Sequence, residues 1–302
     1  NRATQGASAP GSTFKMCTTM TAMEEGIISQ GDTVVDEGEF KKITPSPKCW
    51  IFTSGGGATH GSINVMQALA QSCNYFFYEM GYRLGTNSKG NYDSALGLSK
   101  IEKYAKVLGL DMKSGVEITE RDPHFSTESA VHSAIGQGSN AYTPVQLARY
   151  VSTIANGGKN YSLTLLDKVV SSKGKTVLKK KSKLTNTVDA SGSTWDAIHT
   201  GMREVITEGT VYKYFKDTKI NIAGKSGTAQ ENKKRNSHAL FVAYAPYDNP
   251  KIATSVVIPF GNSSHDSAEL AKNVIQYYYG EITDKDVKKN VKKDDSNNVT
   301  QD

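Results

Sequence analysis

One stretch, Lys219 to Pro259, constrains the fold more than any other part of the chain. Three β-rich runs follow one another there, Lys219 to Gln230, Ser237 to Ala245 and Lys251 to Pro259, and the last two are separated only by Pro246-Tyr247-Asp248-Asn249-Pro250. Prolines and Asx residues in that connection end strand pairing and reverse the chain, so the runs predict antiparallel neighbours. The middle of the chain reads as helix. Val65, Met66, Leu69 and Ala70 recur at helical spacing after Ser62, and Ser99 with Glu102 reads as a capping box ahead of Tyr104, Ala105 and Leu108, with Gly109 as the stop. Thr143-Pro144-Val145-Gln146 is another capping box with proline at the first helical position, and its helix runs to Asn156-Gly157-Gly158. Thr194 and Ser267 open two more helices, the latter closing at Gly280. Helices followed by a late antiparallel hairpin predict an α+β fold, an antiparallel sheet covered by helices with a helical subdomain.

The Lys-rich stretch from Tyr161 to Asp189 is predicted to be a β-hairpin insertion, and Glu281 to Asp302, with hardly any apolar residue, a disordered polar tail. Hydrophobic residues at 37% and charged residues at 22% of the 302 describe a globular chain that can bury a core. No apolar run approaches the roughly 18 residues of a membrane span, and the first ten residues lack the regions of a signal peptide, so the chain is expected to be soluble as it stands. The net charge of +6 is spread along the length, densest at Lys179, Lys180, Lys181 and Lys183, and no nucleic-acid partner is expected. Three cysteines, Cys17, Cys49 and Cys73, allow at most one internal disulfide, so no disulfide framework holds the fold.

Chemistry first shows near the start. Pro10-Gly11 ahead of a helical run places Ser12 in a first helical turn with Lys15 on the same face. A serine hydroxyl becomes a nucleophile when a base takes its proton, and an amine at i+3 serves if burial or another cation lowers its pKa. Ser-x-x-Lys alone is common, and a solvated first turn would explain it. Here Ser72-Cys73-Asn74 follows a helix end, and Lys225-Ser226-Gly227-Thr228 lies in a strand pattern. Lys225 offers a cation and Ser226 and Thr228 hydroxyls for a carboxylate, while Gly227 admits another backbone, as a substrate laid along an edge strand requires.

With these three motifs in order, the chain resembles the transpeptidase domain of class B penicillin-binding proteins, within the wider serine penicillin-recognising family that includes serine β-lactamases. The resemblance runs from Asn1 to about Gly280 through PGSTFK, SCN and GKSGTAQ, with IGQG (Ile135 to Gly138) leading into TPVQLA and Gly209-Thr210 ahead of the third motif. Ser226 stands where many members carry threonine, a hydroxyl for a hydroxyl. The resemblance implies that Ser12 is the acylated nucleophile, Lys15 its base and Ser72 the proton relay to the leaving amine. By the same resemblance Asn74 orients the substrate amide, Lys225, Ser226 and Thr228 hold a terminal carboxylate, and the backbone N–H groups of Ser12 and Thr228 form the oxyanion hole. The implied activity is D,D-transpeptidation of peptidoglycan stem peptides ending in D-Ala-D-Ala, with β-lactams acylating the same serine. The alternatives are a D,D-carboxypeptidase, a β-lactamase, or a penicillin-sensing domain that acylates without turnover. No deacylating glutamate motif of the class A β-lactamases is visible. The implied setting is the outer face of a bacterial cytoplasmic membrane, with an anchor, any N-terminal pedestal and contacts to other cell-wall synthesis membrane proteins lying outside this chain.

The remaining cysteines suggest a metal. Cys49 and Cys73 flank His60, and two thiolates with an imidazole need one more ligand for a tetrahedral structural zinc site. Asp36 is the expected fourth, with Asp32 and Glu37 as competitors. A Cys49–Cys73 disulfide, or two buried thiols beside a surface His60, are the other readings. Cys73 should point behind the site, away from Ser72 and Asn74. No cofactor is required for catalysis. Cys17 is expected to be core packing, and Tyr277, Tyr278 and Tyr279 to pack against the sheet.

Overall fold

The computed structural model describes residues 1–230, 235–261 and 263–287. Helix α1 (Arg2–Gln5) leads to a 3-10 turn (Gly11–Phe14) that runs directly into α2 (Lys15–Glu24). Every residue of α2 from Lys15 to Ala22 is buried. Its small hydroxyl residues allow close packing, and carbonyls take up their protons: Thr18 Oγ1 donates to Ala134 O at 2.7 Å and Thr21 Oγ1 to Cys17 O at 2.8 Å. Cys17 is core packing, as expected. Strands β1 (Val34–Asp36) and β2 (Gly61–Ile63) pair antiparallel around the short helix α3 (Trp50–Ser54). Then follow α4 (Val65–Ala70), α5 (Asn74–Gly85), α6 (Ser94–Val107), α7 (Ala130–Ser133) and α8 (Pro144–Ala155), which make up the helical part.

Several helix starts differ from the sequence reading for one reason, that the region holds more hydroxyl and Asx residues than caps. The capping box of α4 is Asn64 with Gln67, and Ser62 lies in β2. Helix α6 starts at Asp93, which accepts from Ala95 N, and Ser99 is mid-helix, its hydroxyl turned back onto Leu96 O at 2.8 Å. The Thr143–Gln146 box of α8 is as expected.

The insertion is two small ladders, β3 (Lys159–Tyr161) with β6 (Leu184–Thr187) and β4 (Lys168–Val170) with β5 (Thr176–Lys179). Helix α9 (Gly192–Thr207) is capped by Ser191, not Thr194. The main sheet orders β7 (Ala223–Ala229), β8 (His238–Ala245) and β9 (Ile252–Ile258), all antiparallel. Helix α10 (Ser264–Tyr278) is capped by Ser263 rather than Ser267. All eight residues of β8 are buried, because successive side chains enter two different cores. Leu240, Val242 and Tyr244 join the large core under the helical part, while Phe241, Ala243 and Ala245 join a second core with Ala268, Ala271 and Ile275 of α10. The sheet is therefore clad on both faces, the α+β arrangement the late strands predict.

Two expectations at the C-terminal end are corrected. Tyr277 and Tyr278 are exposed rather than packed on the sheet, since they face outward at the end of α10, and Tyr279 touches the sheet only through a hydroxyl bond to Ala245 O. Glu281 accepts from Thr218 Oγ1 at 2.8 Å and Gln276 Nε2 at 3.1 Å, which fixes the start of the expected tail; residues 288–302 lie outside the described residues. Among the described residues no helix is long and apolar enough to cross a membrane.

Candidate active site

Ser12 stands in the 3-10 turn, and Lys15 follows one turn on at the start of α2, its backbone N–H donating to Ser12 O. The turn is pressed against β7 and the 135–138 segment. Gly11 has φ +52 and donates to Gly136 O at 3.1 Å, and a Cβ on Gly11 would fall 2.5 Å from Thr228 O. Gly136 is tighter still, at φ +73 with a virtual Cβ 2.1 Å from Gly11 O. Gly136→Ala is expected to cost about 2–5 kcal/mol, from the left-handed backbone and the overlap together, measured as a fall in denaturant midpoint at unchanged m-value.

Ser72 occupies the junction between α4 and α5, itself at φ +53, a strained backbone for a serine. Cys73 caps α5 and Asn74 is its first residue. Lys15 Nζ donates to Ser72 O at 2.8 Å, Ser72 Oγ at 3.3 Å and Asn74 Oδ1 at 2.8 Å, matching all three ammonium protons. Lys225 Nζ donates to the same Ser72 Oγ at 2.9 Å. With both lone pairs of that hydroxyl taken by amines, its own proton is left to donate elsewhere, as a relay requires.

Both lysines are fully buried beneath the cleft floor. Burial lowers Lys15 to about 8, although the Cys73 and Cys49 sulfurs pull it back upward. Burial, with the Lys15 charge behind it, also pushes Lys225 well below the ordinary lysine value. Two amines sharing one desolvated hydroxyl disfavour each other's charge, and an arriving carboxylate would restore the proton on Lys225.

The cleft above them measures about 760 Å³ and is lined by Ser12, Ser72, Asn74, Ser226, Gly227 and Thr228 among others. Edge strand β7 supplies the last three. Thr210 and Ser226 pair their hydroxyls at 3.1 Å, and Gln137 Nε2 reaches Thr228 O at 3.3 Å. At Gly227 the atoms that a Cβ would strike are Thr13 Cγ2 at 2.8 Å and Pro10 O at 3.0 Å. On that side the glycine admits the chain's own nucleophile turn, and it also lines the cleft.

Asp36, Cys49, His60 and Cys73 converge behind this cleft, their ligand atoms all within 4.8 Å of one another. Antiparallel pairing sets Asp36 opposite Gly61, which delivers His60, while Cys49 opens α3 and Cys73 caps α5. Cys73 therefore points away from the cleft, as expected. The three cysteines are free, and His60 is half-buried rather than on the surface. Three separations, Cys49 Sγ to Cys73 Sγ at 3.8 Å, Cys49 Sγ to His60 Nδ1 at 3.6 Å and Cys73 Sγ to Asp36 Oδ2 at 3.5 Å, match the edges of a zinc tetrahedron, about 3.3–3.8 Å for bonds of about 2.0–2.3 Å. The fourth, His60 Nδ1 to Asp36 Oδ2 at 2.7 Å, is a hydrogen bond that a metal would open. Hydrogen bonding with Cys73 pulls the Cys49 thiol down, and burial pushes Cys73 up. Burial opposes charge on Asp36, yet bonds from His60 and Gly38 hold its carboxyl below the usual range. The donor set and spacing fit zinc. Asp32 instead bonds Ser29, and Glu37 accepts from Tyr75.

Sequence reasoning missed Trp50, Thr53, Ser54 and His265, which also line the cleft. Trp50 packs edge-on to His60 at 5.7 Å and donates to Gln71 O at 3.3 Å. A tryptophan directly after a ligand-type cysteine was the available signal. His238 is buried at the start of β8 and accepts from Phe260 N at 3.1 Å, a structural position outside the cleft lining.

The peptidoglycan D,D-transpeptidase MrdA of Haemophilus influenzae is 29% identical over 315 residues, covering 92% of this chain and 45% of the relative, so the chain spans less than half that protein's length. Penicillin-binding protein A of Mycobacterium tuberculosis, solved as an imipenem acyl-enzyme complex, shares the fold at TM-score 0.77 and 23% identity, over 91% of this chain and 61% of that one. The complex of the Helicobacter pylori penicillin-binding protein PBP2 with MreC gives TM-score 0.75 and 24% identity, over 93% and 52% of the respective chains. A family model described as the penicillin binding protein transpeptidase domain matches residues 1–276, and the chain belongs to that family.

Proposed function

We propose that the chain is the catalytic domain of a serine D,D-transpeptidase that cross-links peptidoglycan stem peptides and is acylated by β-lactams at Ser12. The observation that carries this reading is the meeting of Lys15 and Lys225 at the Ser72 hydroxyl beneath a cleft lined by Ser12. Lys15 in its neutral form takes the Ser12 proton as the hydroxyl oxygen attacks the carbonyl of the penultimate D-Ala. The backbone N–H groups of Ser12 and Thr228 receive the oxyanion. Ser72 passes a proton to the departing D-Ala amine and is reprotonated from the lysine pair. Asn74 orients the donor amide, and Lys225 with Ser226 and Thr228 holds the terminal carboxylate. A second strand's amine then takes the acyl group. The test is acceptor choice: a D-Ala-D-Ala donor with an amine acceptor should yield the amide. Release of free acid only, or steady turnover of a chromogenic β-lactam, would make the chain a hydrolase. The MrdA name and the MreC complex support a wall-synthesis complex as the setting, and the outer face of the cytoplasmic membrane belongs to the same reading.

Asp36, Cys49, His60 and Cys73 hold a structural zinc in this reading. Bound there, zinc would cross-link β1, α3 and the two catalytic neighbours of Cys73, and it supplies no chemistry to the acyl transfer. A metal that binds only the folded state stabilises it. About one zinc per chain is expected, with melting about 5–10 °C lower after chelation and slower acylation in Cys49→Ser and His60→Ala. Ligand variants with undiminished zinc content would overturn the site, whereas zinc retained by Asp36→Ala alone would overturn only the fourth ligand.

A further inference from the structure

We propose that Cys49 and Cys73 are a redox-modification site, at which a hydroperoxide converts the metal-free thiols into an intramolecular disulfide that replaces the metal's cross-link between α3 and the Ser72–Asn74 junction. The significance of the exchange rests on the zinc reading above; the bond itself needs only the two thiols.

The sulfurs stand 3.8 Å apart, so reaching a bond of about 2.05 Å asks each to move about 0.9 Å. Both cysteines sit at helix starts, Cys49 opening α3 and Cys73 capping α5, where a χ1 rotation does not disturb a helix interior. They are fully buried, so a sulfenic acid formed on one meets the other thiol before any thiol from solution. The cover over Cys49 is thin. Helix α3 has five residues, none of them buried, and Gly55, Gly56 and Gly57 follow it, which a molecule the size of hydrogen peroxide can pass more readily than a bulky disulfide. Cys17 is the internal contrast. Its sulfur faces the Ile101 carbonyl at 4.0 Å, and among the described residues no second sulfur lies within hydrogen-bonding distance of it.

The step balances with the hydroperoxide as oxidant. Cys49 sulfur attacks one peroxide oxygen, the O–O bond breaks, the thiol proton leaves with the other oxygen as water, and the sulfur carries OH. Cys73 sulfur then attacks Cys49 sulfur, the S–S bond forms, the S–O bond breaks, and the hydroxide leaves as water with the Cys73 proton. Two electrons from the sulfur pair reduce one hydrogen peroxide to two waters. The new bond joins two of the four positions that the metal would join, Cys49 beside Trp50 and Cys73 between Ser72 and Asn74, whose side chains line the cleft.

The test uses the whole chain and a Cys17→Ala background, each zinc-loaded or chelated under reductant, then exposed to hydrogen peroxide. In the chelated chain the expected product is lighter by about 2 Da and contains a peptide pair linked through Cys49 and Cys73; zinc-loaded chain should oxidise at least tenfold more slowly. The oxidised metal-free chain should melt about 5 °C above the reduced metal-free chain and acylate within threefold of the zinc-loaded rate. Cys73→Ser should instead stop at a dimedone-trappable sulfenic acid on Cys49. Sulfinic or sulfonic acids without a cross-link, or a cross-linked chain acylating no faster than the reduced metal-free one, would overturn the proposal. A chain that binds no zinc yet forms the cross-link would sink the metal reading and leave the modification site standing; one that binds zinc but gives no cross-link after chelation would do the reverse.

Discussion

Benzylpenicillin is expected to add one equivalent of its mass to the protein, and Ser12→Ala to abolish the adduct. The effect should be the largest that any single substitution produces, because Ser12 supplies the attacking atom in this reading; the Ser72 hydroxyl also lines the cleft but accepts from both Lys15 and Lys225, the position of a relay. Ser226 and Thr228 also line the cleft from β7, but the Ser226 hydroxyl is paired with Thr210 and neither residue has a lysine three positions on, as Ser12 has. Losing the attacking atom of a catalytic unit removes on the order of 10⁶-fold in rate, below detection in a labelling assay. A melting curve matching wild type would exclude misfolding as the cause. Labelling of the variant at the wild-type rate would hand the nucleophile's role to another residue.

Lys15→Arg should slow acylation by about 10²–10⁴-fold, the usual loss when an acid-base group is removed. Arginine keeps the positive charge and can still donate to Ser72 and Asn74, but guanidinium does not give up a proton in a protein. The substitution therefore separates charge from basicity. The wild-type pH profile should carry the same signature. With Lys15 lowered to about 8 by burial, the neutral amine is the minor form at pH 7. Acylation should rise nearly tenfold per pH unit below that value and level off above it. The Arg variant should lose this limb. Near-normal acylation by Lys15→Arg would show that another group is the base.

The parts of the structure that sequence exposes best are those fixed by one local rule. Strands β8 and β9 were legible because Pro246 and Pro250 leave the chain between two apolar runs little choice but to reverse, and α8 because threonine, proline and glutamine together satisfy a helix start in one way. Ser12, Lys15, Ser72, Asn74 and Lys225 were legible as motifs, and the structure brings them to one floor. The four metal-type residues were legible too, their side chains needing a common point that β1–β2 pairing provides. Helix starts were read worst. A serine such as Ser99 can satisfy its hydroxyl inside a helix as well as at its end, and propensity does not choose between the two. At Gly227 the sequence shows that a position is tight without showing which segment crowds it on the side of residues 10–13. His265 reaches the cleft only through tertiary placement of α10, which leaves no pattern along the chain, and Trp50 is marked only by its place directly after Cys49.

The nucleophile turn of residues 11–14 is wedged against β7, so that Gly11 and Gly227 each leave room for the other's segment. These two pieces come from opposite ends of the domain. A ribosome releases the first long before the second exists, and the catalytic floor stays open until the last strands fold against it. Long-range closure of this kind is slow relative to local helix formation. Covalent labelling by a β-lactam is therefore a maturation assay as well as an activity assay: chains cut short anywhere before β7 should be silent, and during refolding the label should appear with the slowest phase that completes the sheet, after the helical signal has returned.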